Sequence, residues 1–438
     1  MTALKTGFAR LDITPPLGTT MAGYFHTRYA DGILDPLMAT AVVFDDGEKR
    51  AAVLSVDIIG FNQQMMADVR PRIAAAVGTE PEGVYVACTH THLGPCTADS
   101  SGKVENGDYI EFLTKKLCDA AVLAAADLAP TEMLYTRGKV EDVAFVRRFR
   151  MKDGSVRTNP GWQNPDIDHA IGTPDEGSSL LILRRENKPE IGIVHFQVHP
   201  DVISGTKFSA DFPKFVRDTY EALIPNSRCM NVNGTQGDTN HIDVRLSPDQ
   251  CRGGYGRSRY MGRRIAMSVL ENYELAKPLS GTAVRYGQKS VSVRYNKGRP
   301  DQIEEAIRIH NICKDAGESA LKTDLPGMER TTLVAESARI VSLMSLPDEK
   351  ELILTAVAVG DAVFAGLPGE PFTDVGRGIK NGAHFTLAMP TCCSGGYEGY
   401  YPMQSAYDEG GYEARTARYA AGTAEKLIEE SLRLVNSL

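Results

Sequence analysis

Two histidines one residue apart follow an apolar run in "VYVACTHTHLGP", residues 84–95. Imidazole rings bind borderline metal ions and carry protons near neutral pH, so His90 and His92 are read as a metal ligand, a proton carrier or both. If the strand continues through them, its two-residue period points both rings to one side and Thr91 to the other. Taken alone, the same spacing also suits two loop histidines hydrogen-bonded to backbone or water. A second apolar run, "EIGIVHFQVHP", ends in His195 and His199. Pro200 stops pairing there, and ligands of α/β proteins gather at strand ends. His199 is therefore taken as the functional ring and His195 as a core histidine.

Three further segments carry polar side chains in chemically useful places. In "FAGLPGEPFTDVGRG", Glu370 follows a strand and a turn and precedes a helix opening on Pro371. Its carboxylate suits a metal, or it complements a helix N-terminus. The loop "NGTQGDTNHID" offers Asp238, Asn240 and His241, as site residues or as Asx turns. "SGGYEGYYPMQSAYDEGGYEA" is dense in tyrosine. Two arginine clusters, Arg147, Arg148 and Arg150, then Arg252, Arg257 and Arg259, either present forked donors to a substrate carboxylate or phosphate or pair with the abundant acids.

Strands that end in such residues need a sheet behind them. "ATAVVFDD" and "RAAVLSVDIIG" form a hairpin across "DDGEK", and "FNQQMMADVRPRIAAAVG" has helix spacing that ends in glycine. "GVYVACTH" is the next strand, and a long amphipathic helix begins near Asn106 or Asp108. Further strands and helices alternate to the C-terminus, where residues 414–438 read as one helix. The mixture of βα and ββ steps predicts an α/β fold with mixed β-sheets flanked by helices. We expect one domain over residues 1–438, with residues 296–348 as a helical insertion.

Composition narrows the partners. The 438 residues carry 48 Lys plus Arg against 56 Asp plus Glu, a net charge of −8, which gives no basic field for nucleic acid. No stretch reaches the length of a membrane span, and the N-terminus has no apolar signal core. The expected setting is cytoplasmic, with a small-molecule substrate. Eight scattered cysteines without zinc-finger spacing read as reduced thiols, mostly buried.

In order along the chain, "RLDITPPLG", "ACTHTHLGP", "VHP", "NGTQGDTN", "LPGEPFTDVGR" and "YEGYYPMQSAYDEGGYEA" resemble the catalytic domain of the neutral/alkaline non-lysosomal ceramidases. The resemblance implies zinc held by His90, His199, Glu370 and Tyr400, with Tyr401 the alternative to Tyr400. It implies His92 as acid/base or oxyanion partner, with Asp238 and Asn240 lining the substrate loop. The implied activity is metal-dependent hydrolysis of a C–N amide bond. Three departures separate the chain from that family. Asn240 stands where the ceramidases have a serine, no C-terminal immunoglobulin-like domain follows, and residues 296–348 differ. They direct the substrate expectation from an N-acyl lipid toward a small polar or anionic amide, or a lactone. A lyase and a non-catalytic binding protein are the other readings, and iron or manganese also suits the ligand set. The sequence is compatible with an oligomer.

Overall fold

A computed structural model of the chain describes residues 3–438 apart from 25, 98–105 and 315. Its largest sheet has nine strands. Eight run in the order Ser227–Asn233, Glu190–Phe196, Gly177–Arg185, Ala129–Lys139, Lys5–Asp12, Met38–Asp45, Arg50–Val56 and Val84–Cys88, and Lys277–Pro278 adds to Ala129–Lys139. Both outermost pairs are parallel and the inner pairs antiparallel. The fold is thus mixed α/β, as the alternation of patterns predicts.

Each parallel pair needs a crossover, and the sequence supplies one to each. Gln63–Val77 joins Arg50–Val56 to Val84–Cys88. It starts at Asn62, whose side chain accepts from Met65 N at 2.8 Å, and stops at Gly78 with φ of +71°. Phe212–Leu223 joins the other pair and starts at Asp211, an N-cap held at φ of +56°. That carboxylate accepts from Val202 N, Ile203 N, Phe212 N and Ser258 Oγ. Four donors offset the cost of burying it and fix the turn that follows His199.

The central strands are apolar on both faces because both faces are covered. Helices Gln63–Val77 and Gly107–Ala126 cover one face through Val69, Ile73, Leu113 and Leu117. A second sheet of Val284–Arg294, Glu349–Val359, Ala362–Gly366 and Leu387–Thr391 packs Val357, Phe364 and Met389 against Val42, Val53, Leu181 and Ile191 of the first. Curvature brings the two ends of the large sheet near each other, where Ser55 Oγ donates to Asn231 O at 2.6 Å.

Two expectations change. The C-terminal stretch is not one helix: Tyr412–Thr416 and Thr423–Val435 are separated at Gly422, which has φ of +85°. The intervening Tyr419 is stacked between Tyr295 and Tyr401. The strand Leu387–Thr391 was hidden in the sequence by Pro390, which an edge strand tolerates. Residues 296–348 do hold two helices, Pro300–Cys313 and Gly327–Leu343, and the eight cysteines are free thiols, six of them buried. Among the described residues no helix is long and apolar enough to cross a membrane.

Arg217 and Asp57 tie the helix Phe212–Leu223 to a sheet end, with guanidinium nitrogens 3.0 and 2.7 Å from the carboxylate and both side chains buried. Asp57 also accepts from Met38 N at 2.9 Å. Arg217→Met strands a buried charge and is expected to lower unfolding free energy by about 3–5 kcal/mol. Urea denaturation measures it, and a loss below about 1 kcal/mol would mean that water reaches Asp57.

Candidate metal centre

The functional segments leave the carboxyl ends of strands in the two parallel pairs. Val84–Cys88 stops where its neighbour stops, with Val56 opposite Cys88. His90 then takes φ of +70°, so the histidine pair lies on a turn and not on a continued strand. The rings still face each other, with centroids 5.1 Å apart, because the turn rather than the pleat brings them together. Thr91 points away and donates to Ser209 O at 2.7 Å. Likewise Glu190–Phe196 ends before His199, which stands in the loop beyond. The centroid of His199 is 4.9 Å from that of His90 and 5.3 Å from that of His92.

One amide stitches these loops together. Asn233 Nδ2 donates to Thr89 O and Val198 O, each at 3.2 Å, and Asn233 O accepts from Cys392 N. Asn233 drew no attention in the sequence, where only the glycine after it marks a turn.

Glu370 arrives from the second sheet. Its residue pairs in parallel with Tyr400, and Pro371 with Tyr401, so the helix begins at Thr373 and not at Pro371. Pro371 is instead spent on that pairing. Gly237 packs flat on the same backbone: a Cβ there would lie 2.4 Å from Glu370 O, and its N–H donates to Pro371 O at 2.9 Å. Asp238 Oδ1 accepts from Thr373 N at 2.8 Å and Thr373 Oγ1 at 2.7 Å, anchoring the helix after Glu370.

The electrostatics of the cluster follow from its outer hydrogen bonds. His90 Nδ1 is 2.8 Å from Ile59 O, and His199 Nδ1 is 3.4 Å from Gln236 O. Carbonyls only accept, so each Nδ1 carries the proton and each Nε2 presents a lone pair. Those two nitrogens lie 3.3 and 3.2 Å from Glu370 Oε2. The other carboxylate oxygen accepts from Tyr397 Oη at 2.9 Å. Burial, aided by Arg147, pushes His199 down to about 4. Among the described residues Glu370 Oε2 and His199 Nε2 have no hydrogen-bond partner.

Lone pairs converging on one buried point call for a cation. A tetrahedral ion with bonds of about 2.0 Å spaces its ligands about 3.3 Å apart, which matches the separations here. His92 adds a third imidazole: with His90 and His199 it offers one ligand atom each, all within 4.8 Å of one another. The residues therefore fit a metal ion.

The tyrosines divide between site and core. Tyr401 donates to Pro368 O at 2.8 Å and stacks on Tyr419. Tyr400, beside Glu370, lies 5.4 Å from the Arg147 guanidinium and 5.7 Å from the ring of Tyr412. Arg147 is buried, bound to Glu413 at 2.7 Å and to Gly237 O at 2.7 Å. Arg148 pairs with Glu409. Both arginines are thus engaged within the protein, against the reading that they await a substrate anion. Arg252 and Arg259 are exposed. Asn240 is also engaged, donating to Asn159 Oδ1 and accepting from Ile242 N; like Asp238, it shapes its loop and lies outside the imidazole cluster. Tyr397 and Glu413 were not singled out in the sequence, although both lie within its tyrosine-rich segment.

No family model and no curated protein matches the chain. Solved structures do. Neutral ceramidase from Pseudomonas aeruginosa superposes with a TM-score of 0.76 at 17% identity, covering 100% of this chain and 74% of that one. The chain has the neutral-ceramidase fold. A ceramidase complexed with C2 gives a TM-score of 0.72 at 16% identity, covering 100% of this chain and 75% of that one. At such identity the neutral-ceramidase likeness speaks for architecture, and the residues must speak for chemistry.

His195 behaves as a core histidine, with Nε2 on Pro390 O at 2.8 Å. Burial, with Lys380 nearby, holds it down to about 3. Below the unfolded value of about 6.5 the unfolded chain takes up a proton that the folded ring refuses. Stability from this ring is therefore full above about pH 6.5 and is lost as pH falls toward 3. Between pH 7.5 and 5.0 the wild type should lose about 2 kcal/mol more than His195→Gln in urea denaturation. Parallel losses would show that the ring protonates in place.

Proposed function

We propose that the protein is a metal-dependent hydrolase that cleaves a C–N amide bond, with zinc held by His90, His199, Glu370 and Tyr400. The observation that carries the reading is the unpartnered Glu370 oxygen, 3.3 and 3.2 Å from two imidazole nitrogens whose tautomers leave lone pairs facing it. The fold shared with two ceramidase structures supports it. Zinc in such a donor set supplies Lewis acidity toward a carbonyl and a water-derived nucleophile near neutral pH.

The chain's own residues do the rest. Tyr397 holds one carboxylate oxygen so that the other faces the imidazoles. Burial and the Glu370 carboxylate push the Tyr400 phenol up, and Arg147, which lies against the ring and is kept in place by Glu413, opposes them. His92, partly exposed and with both ring nitrogens unpartnered among the described residues, takes a proton at one nitrogen and returns it to the leaving amine. The substrate class is an N-acyl compound or small polar amide. Asn240 lies in the substrate loop as a support for Asn159, so no hydroxyl at that position takes part.

Elemental analysis of protein purified without a metal-affinity tag tests the centre. Wild type should hold about one zinc per chain, and His90→Ala and Glu370→Gln should each lose it, since one removes a donor from the buried cluster and the other removes the negative charge that faces the imidazoles. Hydrolysis of octanoyl p-nitroanilide should fall by at least about a hundredfold in both variants and under dipicolinate. Full zinc in both variants, or turnover untouched by the chelator, would sink the reading.

A further inference from the structure

His92 lacks what fixes its two neighbours. His90 and His199 each face a backbone carbonyl through Nδ1, whereas among the described residues neither nitrogen of His92 has a hydrogen bond, although its side chain is only 12% exposed. Asp201 Oδ1 stands 3.7 Å from His92 Nδ1. The same oxygen accepts from Tyr24 Oη at 2.8 Å. The Tyr24 ring in turn meets the imidazole edge to face, with centroids 6.0 Å apart.

The surroundings hold these three side chains together. Arg28 covers the Tyr24 ring at 4.1 Å and donates to His92 O at 2.8 Å and Gly205 O at 2.7 Å. His92 N donates to Pro200 O at 3.3 Å, which ties the imidazole's backbone to the residue before Asp201. Gly23, at φ of +102°, makes room for the ring: a Cβ there would lie 2.8 Å from it. Closing the carboxylate onto the imidazole at about 2.8 Å needs less than about 1 Å of movement, and such contacts tighten when substrate binds.

We propose that Asp201, held by Tyr24, is the positioning residue of His92: it accepts the Nδ1 hydrogen and leaves the Nε2 lone pair for the proton of the reaction. This rests on the reading of His92 as the proton carrier. Nε2 takes a proton from the attacking water, the Asp201 carboxylate stabilises the imidazolium, and Nε2 gives the proton to the leaving nitrogen as the C–N bond breaks.

Two readouts test the assignment in zinc-loaded protein. The first is 15N NMR of histidine-labelled wild type, Asp201→Ala and Tyr24→Phe near neutral pH, with His92 assigned by loss of its signal in His92→Gln. Wild type should carry the proton on Nδ1, Asp201→Ala should move it to Nε2 in part or whole, and Tyr24→Phe should leave it on Nδ1. The second compares octanoyl p-nitroanilide, whose amine leaves unaided, with an octanoyl alkylamide, whose amine needs the proton. Asp201→Ala should lose about a hundredfold in kcat on the alkylamide and under about tenfold on the anilide, with little change in KM or zinc content. Equal losses on both, a wild-type proton on Nε2, or a tautomer indifferent to Asp201→Ala would overturn the assignment. Wild type inert on both probes would count against the hydrolase reading, while the NMR result would still decide Asp201.

Discussion

A carboxylate 1% exposed, set against imidazoles that offer it lone pairs, is the constraint around which the site is organised. A buried charge without partners is costly, and here the tautomers fixed by Ile59 and Gln236 deny Glu370 the imidazole hydrogens that would satisfy it. The surrounding structure supports this arrangement in place. Tyr397 satisfies one oxygen, Gly237 lies against the backbone, and Asp238 anchors the helix that follows. An apolar pocket would not need such supports, and a cation-binding one does.

The same demand explains the curvature of the large sheet. His90 and His199 belong to parallel pairs at opposite ends of nine strands, and a flat sheet would hold them far apart. Only when the ends approach can Ser55 reach Asn231 and Asn233 reach both Thr89 and Val198. Packing of the second sheet into the resulting concavity then delivers Glu370 between them. The cluster of imidazoles and carboxylate is thus a long-range contact in the strict sense, made by residues far apart in sequence that meet only after both sheets have formed.

That distance sets what the sequence could reveal. Apolar alternation and caps made the hairpin from Met38 to Val56, the helices at Gln63 and Gly107, and the strands at Gly177 and Glu190 legible, because those signals are local. His90, His199 and Glu370 stood out because polar groups at the ends of apolar runs are few. The turn at His90 was not legible: its positive φ depends on Ile58 and Ile59 carbonyls supplied by a neighbouring strand end. Asn233, Tyr397 and Asp201 escaped notice because their roles lie in what they hold. Arg147 was left between a substrate anion and an acidic partner because Glu413, which pairs with it, is remote in sequence.

The buried Arg147–Glu413 pair also closes the charges of the proposed centre. A divalent ion beside Glu370 leaves one positive charge, which a phenolate at Tyr400 would cancel. A free guanidinium near that ring would leave the surplus in place, but Glu413, which also accepts from Thr158 at 2.8 Å, neutralises it. Glu413 sits on the short helix Tyr412–Thr416, too short to stand alone. The helix Gly327–Leu343 secures it: Glu336 pairs with Arg415, and Arg339 donates to Arg415 O at 2.9 Å. A segment that looked peripheral in the sequence therefore reaches the centre through Arg415, Glu413 and Arg147 to Tyr400. Its contribution is to hold the negative charge of Glu413 against Arg147.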